Sequence, residues 1–114
     1  MNSEPESLQI FQAFGYCDRL RGLHAYPELV GHRGLWLKPC KAIHTFGLAY
    51  AIDAVFLDQD LRSLKCVENM APNRIAWCLG ARSVVELPGG YCARNSSGVQ
   101  WLRHALLQSG LFVR

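Results

Sequence analysis

The chain has 114 residues, of which half are hydrophobic, 11% aromatic and 18% charged. That is the size and composition of a single domain, residues 1–114, with one core, and it excludes a wholly disordered chain. Nine arginines and three lysines oppose nine acids for a net charge of +3, and the apolar runs fall short of the ~20 residues that a membrane-spanning helix needs.

Residues 1–7 read as a polar lead. Leu8–Phe14 follows with Leu8, Ile10 and Phe14 on one parity, which predicts a first strand. Gly15 opens a predicted short helix through Leu23, with Asp18 in its first turn complementing the helix dipole. Residues 24–34 hold Pro27 and two glycines and read as a loop. Short β-type runs come next: Leu35–Lys38, Ala42–Phe46 and Ile52–Leu57, punctuated by Pro39, Gly47 and the acidic turn Asp58-Gln59-Asp60. Leu61–Glu68 returns as a hairpin partner. Ile75–Cys78 and Arg82–Leu87 make two more strands before the turn Pro88-Gly89-Gly90. Ser97-Gly98-Val99-Gln100 fits a capping box, and Val99, Leu102 and Ala105 or Leu106 then recur at helical spacing, predicting a helix over 97–110. The expected architecture is mainly β (α+β), a small barrel-like or strongly curled sheet with a short N-terminal helix and a C-terminal helix.

Cysteines stand at 17, 40, 66, 78 and 92. Their odd number and irregular spacing fit neither a zinc site nor a disulfide framework. The acidic start Met1–Glu6 has the wrong sign for a secretory signal. Reduced thiols in a cytoplasmic protein follow, most of them acting as small buried hydrophobes. The arginines are scattered, so nucleic acid is not an expected partner, and no membrane, metal or cofactor is expected. The partner is read as an unknown small molecule or protein, and the chain as a monomer or weak dimer.

Asp53 is the most informative position. Its neighbours on both parities are apolar, and an ionised carboxylate there costs several kcal/mol unless it is paired or hydrogen-bonded. Arg82, Lys38, His44 or local backbone N–H groups are its candidate partners. One reading has Asp53 begin the strand and cap a turn at Tyr50-Ala51; the other has it line a pocket. Glu86 reads as a surface or edge residue beside Pro88, although pointing inward it would form an acid/base pair with Asp53. His44 shares a face with Ala42 and Phe46, as a core or rim histidine. Cys40 lies near two lysines, but a strand holds it about 13 Å from His44 at ~3.3 Å per residue. Trp36, Trp77 and Trp101 read as core or rim anchors.

The stretch Gly34–Leu48 (GLWLKPCKAIHTFGL), then Ile52–Asp58 (IDAVFLD), Val84–Gly90 (VVELPGG) and Arg19–Leu23 (RLRGL) together resemble the bacterial and archaeal "domain of unknown function 192" family over residues 8–95. The resemblance implies a small, mainly β, barrel-like domain with a short N-terminal helix, and no established activity, cofactor or catalytic residue. Many members read Trp-Met-Lys-Asn-Thr where this chain has His44-Thr45-Phe46-Gly47-Leu48, which places it in a His-Thr-Phe subgroup. The usual Pro before Ile52-Asp53 is Ala51. The family's Asp-Gly turn is Asp60-Leu61, so the turn is not expected to be type I′. The helix from Asn95 onward replaces a short polar strand, and it either docks on the sheet or offers its apolar face to a partner.

The function read from the residues is a non-catalytic module that binds a small molecule or a protein in a pocket near His44, Asp53 and Glu86, with Thr45 and Arg82 as further ligand contacts. The alternative is a small acid/base enzyme, hydrolase- or isomerase-like, using Asp53 with Glu86 or His44. A weak RNA binder using the scattered arginines is third.

Overall fold

The computed structural model describes residues 9–14, 33–94 and 102–107. Among these residues seven strands run in chain order: β1 Gln9–Phe14, β2 Arg33–Lys38, β3 Ala42–His44, β4 Ile52–Leu57, β5 Ser63–Met70, β6 Ile75–Trp77 and β7 Ser83–Pro88. A one-turn helix α1, Tyr91–Arg94, and a second helix α2 over residues 102–107 follow. Five strands form one sheet in the order β1-β2-β7-β4-β5, and β3 pairs with β6 in a separate two-stranded sheet. Among the described strands β1 and β2 pair in parallel and the other pairs are antiparallel.

The mainly β expectation holds. The large sheet is open rather than closed into a barrel, with β1 and β5 at its edges. The predicted helix Gly15–Leu23 and most of the predicted loop lie outside the described residues. Arg33 and Gly34, read as the end of that loop, instead begin β2. Gly34 acts there as a packing residue: a Cβ would meet Leu87 Cδ2 at 3.0 Å and Ile10 Cδ1 at 3.4 Å. A glycine inside a strand is as consistent with close approach as with a break.

All six residues of β4 and all six of β7 are buried, because these central strands are covered on both faces. Leu35, Leu37, Ile52, Ala54, Phe56 and Val84 point one way and pack under the small sheet, against Ile43 and Ala76. Trp36, Val55, Leu57, Val85 and Leu87 point the other way, toward Tyr91 and the helical residues Leu102 and Leu106. The chain therefore has two core layers, where its length and composition suggested one. Each fully buried aliphatic or aromatic side chain contributes about 1.5–3 kcal/mol. Leu102 and Leu106, four residues apart, share one helix face, so the C-terminal helix docks on the sheet.

The β4–β5 hairpin turns at 58–62. Leu61 N–H donates to Asp58 O, Asp58 N–H donates to Arg62 O, and the Asp58 carboxylate accepts from the N–H groups of Asp60 and Arg62. Those bonds hold Asp58 below the usual carboxylate range, the Arg62 N–H foremost. Leu61 takes a φ of 64°, so the loop is a three-residue connection ending in a left-handed residue rather than a type I′ turn. Leucine is unfavourable in that conformation, but here it also packs against the second core layer.

Candidate functional site

Asp53 is fully buried, and its carboxylate accepts three backbone N–H bonds. Asn69 and Gly90 donate to Oδ1 at 2.9 and 2.8 Å, and Cys92 donates to Oδ2 at 2.8 Å. The donors come from β5, from the turn after β7 and from α1. Asp53 thus does not cap a turn at Tyr50-Ala51; it ties three remote segments to β4. The Pro88-Gly89-Gly90 turn is shaped for this. A Cβ on Gly89 would sit 2.9 Å from Ala51 O, and Gly90 has a φ of 82°, a conformation glycine adopts freely. The resemblance segments around Asp53 and around Glu86 to Gly90 are two halves of one structural joint.

Thr45 is also fully buried. Its hydroxyl donates to Ala71 O at 2.7 Å and accepts from Arg74 N–H at 2.9 Å. Its own N–H donates to Arg74 O, and its carbonyl accepts from Asn73 N–H. Thr45 fastens the 71–74 turn to the start of the 45–48 loop.

Glu86 is not a surface residue. It is 4% exposed, its register partners are Leu35 and Ala54, and its Oε1 has no hydrogen-bond partner among the described residues. Burial pushes its carboxyl up to about 8, because the charged form loses its water. Edge placement was expected from Pro88, but β7 lies between β2 and β4, in the middle of the sheet. Asp53 pairs with Leu87 and Glu86 with Ala54. Leu87 belongs to one core layer and Ala54 to the other, so the two carboxyl groups project from opposite faces of the sheet.

His44 ends β3 on the face turned away from Ile43 and is exposed. Its Nδ1 accepts from Phe46 N–H at 3.2 Å, and its ring stacks on Phe46 with centroids 5.0 Å apart. Cys40 is buried and donates its thiol proton to Ala42 O at 3.1 Å. Arg82 is exposed and contributes through its main chain, which bonds Cys40 and Leu57. His44, Asp53 and Glu86 thus occupy a solvent-facing surface and two different core layers, and are not brought together.

The outer face of the small sheet was missed in the sequence. Ala42 pairs with Trp77 and His44 with Ile75, so all four share that face, and Trp77, read as a core or rim anchor, is 57% exposed. Phe46 continues the face at one end, and exposed Leu64 and Leu79 lie beyond the other. Lys65 holds its ammonium 6.0 Å from the Trp77 ring centroid and donates to Trp77 O at 2.9 Å. Lys41 donates to Leu79 O and Ala81 O. The available signal was Ile75 and Trp77 on one parity of a run too short to show which face is buried. A second signal is charge: residues 33–52 and 69–85 contain no Asp or Glu. Among the described residues no cluster of three His, Cys, Asp or Glu is placed to hold a metal.

A family model described as an uncharacterised ACR, DUF192, matches residues 2–99. The chain belongs to the DUF192 family. Two crystal structures share this DUF192 fold. One is a protein of unknown function from Novosphingobium aromaticivorans DSM 12444, 22% identical with a TM-score of 0.66, the match covering 75% of this chain and 66% of that one. The other, from Sinorhizobium meliloti 1021 and provisionally described as a transcription regulator, is 18% identical with a TM-score of 0.68, covering 76% and 73%. At these identities the likeness is one of fold alone. No curated protein matches the sequence. No helix among the described residues is long and apolar enough to cross a membrane.

Proposed function

We propose that this DUF192 domain is a non-catalytic protein-binding module whose contact surface is the outer face of the β3–β6 sheet. The observation that carries this reading is the run of exposed apolar side chains Ile75 and Trp77 on the small sheet with Phe46 and Leu79 in the turns at its ends. Exposed aromatic and aliphatic clusters mark interaction sites, and Trp is enriched at binding hot spots. Lys41 and Arg74 lie beside these residues on segments without an acid, and Lys65 of β5 reaches over the Trp77 ring. The partner is therefore an apolar segment bearing Asp or Glu, which such cations would orient and attract. The residues first expected to line a pocket support this indirectly: Asp53 and Thr45 spend their polar atoms on the backbone, and Glu86 is enclosed. An acid/base enzyme would need two of these groups within reach of one substrate atom, and Asp53 and Glu86 lie on opposite faces.

A peptide library selected on the full chain tests this, with the double variant Ile75→Ser, Trp77→Ala as counter-selection. Enriched peptides should combine apolar residues with Asp or Glu and bind the variant at least about tenfold more weakly. Peptides that bind both proteins equally would overturn the proposal, as would preferential retention of single-stranded RNA on the same face.

A further inference from the structure

The second site of interest lies beside Asp53, on the helix-bearing side of the large sheet. Cys66 sits on the edge strand β5 opposite Val55, a residue of the second core layer, and it is exposed. Cys92 sits in α1, half-buried against the same layer, with its N–H on the Asp53 carboxylate. Both cysteines are free, and their shared neighbours Val55 and Asp53 place them on the same face of the sheet. Twenty-five intervening residues separate them, and the Asp53 joint brings them together by fixing Asn69 of β5 and Cys92 of α1 to one carboxylate.

We propose that Cys66 and Cys92 form a peroxide-oxidised dithiol site, with Cys66 the attacking sulfur and Cys92 the resolving one. The Cys66 thiolate attacks one oxygen of hydrogen peroxide and the O–O bond breaks. The departing hydroxide takes a proton from solvent and leaves as water, and Cys66 becomes a sulfenic acid. The Cys92 sulfur then attacks the Cys66 sulfur, the S–O bond breaks, and the second hydroxide takes the Cys92 proton to leave as water. Two thiols lose two electrons in total, and one peroxide is reduced to two waters. The roles follow from the surroundings. The neighbouring Cys92 thiol lowers the Cys66 pKa below that of an ordinary thiol. The neighbouring Cys66 thiol, partial burial and the Asp53 carboxylate raise that of Cys92. The thiolate is the nucleophile, so the accessible, lower-pKa sulfur reacts first. The resulting bond would pin α1 to β5.

The test treats the full reduced chain with hydrogen peroxide, blocks remaining thiols by alkylation and maps tryptic peptides. The expected product is one reducible link between residues 66–74 (CVENMAPNR) and 83–94 (SVVELPGGYCAR) of the same molecule, formed at least about tenfold faster than Cys40 or Cys78 is lost. Cys92→Ser should accumulate a dimedone-reactive sulfenic acid at Cys66, and Cys66→Ser should abolish the link. Because Cys66 is exposed, its serine variant keeps the fold, which circular dichroism checks. Equal oxidation of all five cysteines, a link only between molecules, or an unreacted pair would overturn the proposal.

Discussion

Asp53 and Glu86 occupy neighbouring rungs of the β4–β7 ladder, yet the first accepts three backbone N–H bonds and the second buries an oxygen, Oε1, with no partner among the described residues. Removing the Asp53 carboxylate leaves three backbone N–H groups without their acceptor, at about 1–3 kcal/mol for each that stays buried and unpaired. Asp53→Ala should therefore cost about 3 kcal/mol or more in denaturant unfolding. Asp53→Asn should cost less, because one oxygen remains for two of the donors. Glu86 acts through pH. Burial pushes its folded carboxyl up to about 8, from an ordinary 4.5. Its folded form holds the proton more tightly, so stability is fully present below about pH 4.5 and falls as pH rises toward 8, by up to ~1.4 kcal/mol per pH unit. Glu86→Gln should flatten that decline, so that wild type and variant melting temperatures diverge with rising pH in the variant's favour. A parallel pair of pH profiles would refute the buried-acid account. Both acids stood out in the sequence as charges inside apolar strands. Their opposite faces did not, because parity within each strand becomes orientation only through the register Ala54 to Glu86, a non-local fact.

Elements were legible where burial is continuous. Ile52–Leu57 reads as a strand because all its residues are apolar except Asp53, and it is β4 to the residue. The small sheet was legible as strands but not as a surface, since three residues with one buried position look alike on either side of a core. The one-turn helix Tyr91–Arg94 carries no helix-length periodicity and depends on Asp53, thirty-eight positions before its start. The C-terminal helix follows its pattern where it is described: Leu102 and Leu106 are buried, while Arg103 and His104 are exposed. Arg103 Nε further donates to Asp60 O at 2.9 Å, tying that helix to the hairpin turn. Leu106→Ala should cost about 2–5 kcal/mol, as for other buried leucines. Deletion of 97–114 should expose Val55, Leu57, Val85 and Leu87 and send the protein into aggregates, seen by light scattering. A soluble, cooperatively melting truncation would contradict the docked arrangement.

At the scale of the molecule, one central sheet separates two kinds of work. The helix-bearing side is a scaffold held by the Asp53 joint, and the opposite side carries a small sheet whose outer face is apolar, aromatic and rimmed by cations. The net charge of +3 matters through this placement, since the segments 33–52 and 69–85 hold bases and no acids. Binding there should weaken with added salt in proportion to the acidic residues of the peptide, as screening predicts. The most direct measurement is a titration of isotopically labelled protein with a selected acidic, apolar peptide, followed by amide chemical shifts. The predicted result is perturbation concentrated at Ala42–Phe46, Lys65 and Ile75–Leu79. Perturbation centred on residues flanking Asp53 and Glu86, with Trp77 unmoved, would contradict the assignment.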